Sequence, residues 1–210
     1  MNDTSLMNSI SLFLEKEGFH FNQPENEYVS KNNNQTIALV IDELPSRGGK
    51  HYFLNIICKI KIEEIESVYS KYIKIGEKKP IYTISILYGN KPIFEDDVSS
   101  IYTAQESELK LQEFKEKYST EIKYFFEKYT NIERVIENLT HESRNHRIVR
   151  NPTISFSIIL TYYALTSDHE NFLKFKDQAV NFYNKPFGSQ HKNSLMNIIS
   201  GIEKEFFDGK

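Results

Sequence analysis

The sequence predicts an α+β fold: an antiparallel sheet of about four strands with helices on one face, followed by a C-terminal helical array. Two observations predict it. Before Asn90 apolar residues recur at every second position, the period of a strand with one buried face, and after it they recur every third or fourth, the period of an amphipathic helix. Between the two rhythms, the stretch from Asn90 to Thr103 holds Pro92 and the acidic pair Asp96-Asp97 without periodicity. These features divide the chain into a sheet region over 1–95 and a helical region over 96–210 packed on it, together one structural unit.

Taken in order, Leu6, Ile10, Phe13 and Leu14 share one helical face, and Gly18 stands where a left-handed C-terminal cap ends that helix. Phe19 and Phe21 alternate with polar residues, and Tyr28-Val29 resumes after a turn at Pro24, giving a first hairpin or an irregular edge strand. Ile37, Leu39 and Ile41 alternate along the next strand, which turns through Pro45-Ser46-Arg47-Gly48-Gly49-Lys50 into another. There Tyr52, Leu54, Ile56, Cys58, Ile60 and Ile62 line one face, and Asn55, Lys59 and Lys61 line a wet one. Ile65, Tyr69, Tyr72 and Ile73 predict a short helix, and Tyr82, Ile84, Ile86 and Tyr88 another strand. The first half therefore reads α-β-β-β-α-β.

From Leu109 through Phe114, Tyr118, Ile122, Phe125, Tyr129, Ile132, Val135, Ile136 and Leu139 the spacing is helical, and Thr130 followed by Glu133 has the capping-box form that divides it into two tandem helices. Asn151-Pro152 starts the next helix, because asparagine caps well and proline at the first helical position wastes no donor. That helix runs to about Thr166. Ser167 and Glu170 repeat the capping-box spacing ahead of Phe172, Phe175, Ala179 and Phe182. Pro186 and Gly188 close that helix before a last one carrying Leu195, Ile198, Ile202 and Phe206. No internal repeat recurs at a fixed period.

Composition narrows the class. With 210 residues, 39% hydrophobic and 26% charged, the chain is ordinary for a globular protein, and 15 Phe with 13 Tyr must supply the bulky packing because Trp is absent. One cysteine, Cys58, forms no internal disulfide and fits a reducing, cytoplasmic setting. No basic, apolar leader opens the chain and no run approaches the ~20 apolar residues of a membrane span. A net charge of -3 gives no global pull on nucleic acid.

The densest polar stretch is His141-Glu142-Ser143-Arg144-Asn145-His146-Arg147-Ile148-Val149-Arg150. A zinc-hydrolase helix needs its histidines four apart, and His141 and His146, five apart, lie about 140° around a helix at ~100° per residue. We therefore expect no metal site and no cofactor. Arg144, Arg147 and Arg150, three apart, would form a stripe suited to phosphates or carboxylates, and with His141 they are the candidate anion site, to be weighed against plain solvation or pairing with nearby glutamates. Arg134, seven residues before His141, is similar to the Arg and His pair of the helical ribonuclease domains of prokaryotic defence systems. Val135 departs from that pattern, which usually has a polar residue after the arginine, and structurally Arg134 pairs as readily with Glu133 or Glu137.

Ser46-Arg47-Gly48-Gly49-Lys50 lacks the spacing and the following Ser or Thr of a phosphate loop and reads as a turn, while Asp42-Glu43 and Asp96-Asp97 lack a third metal ligand. Phe53, Asn55 and Ile57 on the second face of their strand leave apolar surface to be covered by one of the chain's own helices or by a protein partner.

Leu12-Phe13-Leu14 through Gly18-Phe19, Phe53-Leu54-Asn55-Ile56, and Phe125-Phe126-Glu127-Lys128 before Ile132-Glu133 resemble bacterial α+β proteins catalogued as domains of unknown function. The resemblance covers about the first two thirds, rests on packing residues and transfers no catalytic residue. It implies a small cytoplasmic protein, and some similar folds are immunity proteins that neutralise toxins. The expected function is therefore protein binding without catalysis, immunity-like, with a protein partner such as a toxin. The alternative is a nucleic-acid-binding protein or metal-independent ribonuclease using the Arg134 to Arg150 cluster.

Overall fold

Leu6, Ile10 and Leu14 do line the buried side of a first helix, α1 (Thr4–Lys16), in the computed structural model of the chain. The structure describes residues 4–32, 34–45, 52–72, 83–88, 104–141, 149, 151–184 and 189–208. Gly18 closes α1 at φ +88, where its N–H donates to the Glu15 carbonyl (3.1 Å) and that of Phe19 to the Leu14 carbonyl (2.9 Å). This pairing satisfies carbonyls that the helix end leaves open, at a backbone angle natural to glycine.

Among the described residues five strands follow: β1 (His20–Asn22), β2 (Glu27–Asn32), β3 (Gln35–Pro45), β4 (Tyr52–Ile62) and β5 (Ile84–Tyr88), in one sheet of order β1-β2-β3-β4-β5. The strand beyond those expected is β1, because both arms of the first hairpin are regular. A 3-10 turn at Gln23–Glu25 and Asn26 at φ 52 join them. The pairs β1/β2 and β2/β3 are antiparallel, with Phe21 opposite Tyr28, and Tyr28 opposite Leu39. The turn predicted over Pro45 to Lys50 falls largely outside the described residues, but β3 and β4, which it would join, are neighbours in the sheet.

Between β4 and β5 stands α2 (Glu63–Tyr69). After β5 come α3 (Ala104–Lys117), a π turn (Tyr118–Ile122), α4 (Lys123–Tyr129) and α5 (Ile132–Thr140), then α6 (Pro152–Leu165), α7 (His169–Tyr183) and α8 (Ser189–Phe206). The chain forms two compact units, and they do not divide at 95/96. Met1–Ile60 with Ser85–Thr130 makes the first, and Lys61–Ile84 with Asn131–Lys210 the second.

In the first unit the strand registers sort side chains by face. Phe21, Tyr28, Gln35 and Leu39 share one, and helices cover it except at the exposed Phe21: the Tyr28 and Ser11 hydroxyls hydrogen bond, and the Gln35 Nε2 donates to the Thr130 carbonyl. Phe13 sets its ring edge-on to Phe114 (6.0 Å) and Tyr118 (5.2 Å), and Phe19 meets Tyr118 and Phe126. Within the π turn the Ser119 and Thr120 hydroxyls donate to the Lys115 and Glu116 carbonyls, both at 2.8 Å, so the widened turn leaves these acceptors served. The opposite face is drier than alternation alone predicts. Val29, Ala38 and Val40 on it are buried, and Glu27, 1% exposed, accepts from Lys59 Nζ at 3.0 Å.

The second unit is helical around α6, which packs against α2, α5, α7 and α8. Ile158, Ile159, Leu160 and Ala164 are buried together with Thr153, Ser155, Ser157 and Thr161, so α6 has no polar stripe facing water. The Asn151 cap accepts from the N–H groups of Thr153 (2.9 Å) and Ile154 (3.4 Å), as Asn151-Pro152 predicts. Two other starts lie one residue later than predicted. Asn131, not Thr130, caps α5, and Asp168, not Ser167, caps α7, each accepting from the N–H three residues on (3.0 and 3.1 Å). Thr130 is already spent, its hydroxyl donating to the Phe126 carbonyl at 2.8 Å, and Ser167 at φ 57 closes α6.

Candidate functional site

Of the residues singled out from the sequence, only some are described. Arg134, in the first turn of α5, is 61% exposed and its Nη1 donates to Glu137 Oε2 at 2.8 Å, the intrahelical pairing that the spacing allows. His141 is exposed and extended (φ -68, ψ 137) and is the residue at which α5 ends. Arg144, Arg147 and Arg150 lie outside the described residues.

On β4, Phe53 and Asn55 belong to the strand backbone but their side chains are not described, and Ile57 is half-buried beside Lys59. Lys59 reaches Glu27, which places Ile57 on the face that holds the buried Val29, Ala38 and Val40. The carboxylates Asp42 and Glu43 stand in β3 with undescribed side chains, and Asp96 and Asp97 lie outside the described residues. Cys58 is buried, and burial pushes its thiol well above the usual range, as in a small core residue.

The most unusual polar group is one that the sequence analysis passed over. Glu66 belongs to the acidic first turn of α2, where Glu63 and Glu64 favour the helix N-terminus, but unlike them it is buried, only 3% exposed. Tyr69, three residues on and on the same face, donates from its hydroxyl to Glu66 Oε1 at 2.6 Å. Thr83, also buried, accepts the Ile62 N–H at 2.9 Å at the start of α2, where no side chain of the preceding residue caps the helix. Burial drives the Glu66 carboxyl up from its ordinary value, against the smaller opposing effects of Tyr69, Thr83 and Lys61, and Glu63 adds to the rise. Tyr69 is pushed up as well, first by burial and then by the adjacent carboxyl.

Among the described residues Glu66 Oε2 has no hydrogen-bond partner, and neither has Thr161 Oγ1 on α6, the helix against which α2 packs. The one signal in the sequence was an acid three residues ahead of a core tyrosine, inside the stripe formed by Ile65 and Tyr69.

A second polar contact anchors the end of α2. Glu205 on α8 accepts from Lys71 Nζ and from the Tyr72 hydroxyl, both at 2.6 Å, which holds Glu205 below and Tyr72 above their usual ranges, Tyr72 at about 12. Gly201, one turn earlier, lets the ring in: a Cβ there would lie 2.3 Å from Tyr72.

Chemically these groups can store a proton and fix helices, but none forms a nucleophile and base pair. Among the described residues no group of three or more His, Cys, Asp or Glu is placed to hold a metal ion, and no helix is long and apolar enough to cross a membrane. No family model matches the chain, and neither a curated protein nor a solved structure matches it.

Proposed function

We propose that this protein acts by binding another protein, as a cytoplasmic, immunity-like factor, and has no catalytic step of its own. The observation that supports this reading most is the exposed apolar side chains on the helices of the first unit. Leu12 on α1 and Leu109 on α3 are each 58% exposed, and Tyr124 on α4 is 61% exposed. These helices already bury Ile10, Leu14, Leu111, Phe114, Phe125 and Phe126 in the unit's interior, so the exposed three add nothing to it. Apolar and aromatic side chains left outside a filled core suit a protein partner's interface centre, where desolvation supplies the binding energy.

The test is paired affinity capture from the native host with the wild-type chain and a Leu12→Asp/Leu109→Asp variant, followed by mixing with the purified partner. A stoichiometric complex with the wild type that the variant fails to form, and protection of cells when the partner is a toxin, supports the reading. Identical recovery with both chains contradicts it. Cleavage of labelled RNA by the wild type, lost in His141→Ala, would instead favour the ribonuclease alternative.

A further inference from the structure

Within the second unit Glu66 is a buried carboxyl, 3% exposed, whose Oε1 takes the Tyr69 hydroxyl while Oε2 meets no donor among the described residues. An ionised carboxylate is acceptor-only, with room for about four hydrogen bonds, and an interior that offers so few leaves its charge poorly solvated. A protonated carboxyl needs less. Neutral, it has no charge left to solvate, which suits a helix packed against α6. The geometry points to Glu66 as a proton-operated lock, whose protonated carboxyl keeps α2 seated in the second unit and whose ionisation loosens it.

The surroundings agree. The charged groups that act on Glu66 are Lys61, just ahead of α2, and Glu63 in its first turn. The opposing helix α6 has no Asp, Glu, Lys or Arg at all, and its ionisable groups are Tyr162 and Tyr163. From α8 the acid that reaches α2's end, Glu205, is already held by Lys71 and Tyr72. The nearest base to compensate a Glu66 anion is thus Lys61, half-buried and bonded to Glu63 at 2.7 Å.

The sign follows from linkage. A carboxyl whose folded value exceeds its unfolded one binds its proton more tightly when folded, so its contribution is complete below the unfolded value near 4.5 and disappears as pH rises through the folded value. Inside that window the folding constant falls by up to about tenfold per pH unit, the slope of one proton.

Urea midpoints of the full chain, measured across pH beside Glu66→Gln, and carboxyl carbon NMR of Glu66 test this. We expect the wild type to lose stability relative to Glu66→Gln with rising pH, and one glutamate resonance, absent in the variant, to titrate above the ordinary range. Parallel stability curves, or a Glu66 resonance titrating with the other glutamates, overturn the proposal. If Glu66→Gln does not fold, Tyr69→Phe serves: it removes the donor that favours the anion, so the same resonance must move to higher pH, and an unmoved or lowered titration overturns the lock.

Discussion

In the first unit the rings of Phe13, Phe19, Phe114, Tyr118 and Phe126 meet at centroid separations of 5.2 to 6.4 Å, under a sheet whose register sorts its faces. In the second, the central helix buries Thr153, Ser155, Ser157 and Thr161 among aliphatic side chains, and α2 adds Glu66. The first interior is filled by shape and apolar area, which need no particular partner. The second depends on pairings: the Thr153 hydroxyl with that of Tyr183, Ser155 with the Val149 carbonyl (3.2 Å), Ser157 with the Thr153 carbonyl (2.7 Å). Burial of apolar area tolerates exchange, whereas a buried polar group that loses its partner pays its desolvation in full. The two units should therefore fail in different ways.

The largest loss is expected in the first. Phe114 is 1% exposed and touches Phe13, so Phe114→Ala should cost about 3–5 kcal/mol, read as a lowered denaturant midpoint. A near-neutral result would mean that the ring cluster is not where this unit's stability resides. Next comes Gly201→Ala, whose new Cβ must displace the Tyr72 ring and with it the bond to Glu205. About 1–3 kcal/mol is expected, and Tyr72→Ala in the same chain should remove most of the difference.

Asn151→Ala removes the one side-chain cap of α6 and should cost roughly 1 kcal/mol by thermal melting, since two N–H groups lose their acceptor. The Asp168 cap of α7 sharpens the contrast by its pH response. Its carboxyl is held low by the side chain and backbone N–H of Asn171, so its contribution is present above the ordinary value and vanishes as pH falls, opposite in sign to Glu66. Replacing it with Asn should remove that acid dependence. Arg134→Ala should do least, below ~0.5 kcal/mol, because its pairing with Glu137 is exposed on both sides.

The same contrast explains what could be read from the residues. Gly18, Asn151-Pro152 and the alternation from Ile56 to Ile62 announce their roles because each is a local matter of backbone angle, missing donor or side-chain period. The caps stand one residue beyond Thr130 and Ser167, since the capping-box pattern says nothing of whether a hydroxyl is already engaged by the helix before it, as Thr130 is with Phe126. Leu109 has helical spacing and is nevertheless 58% exposed, which periodicity with its neighbours does not distinguish from burial. The polar sites were the least legible. Glu66 owes its character to burial beside Thr83 and the charge-free α6, and Gly201 to Tyr72, residues brought together by the fold and distant along the chain.

The claim that the second unit is held by paired polar groups, and the first by packing, is tested most directly by amide hydrogen exchange of the intact chain at several pH values, corrected for intrinsic exchange. The account predicts that protection of α2 falls as pH rises above the ordinary carboxylate range while protection of α3 stays constant, and that Glu66→Gln abolishes the difference. Equal pH dependence in α2 and α3, or a pH response in α2 that survives Glu66→Gln, would contradict it.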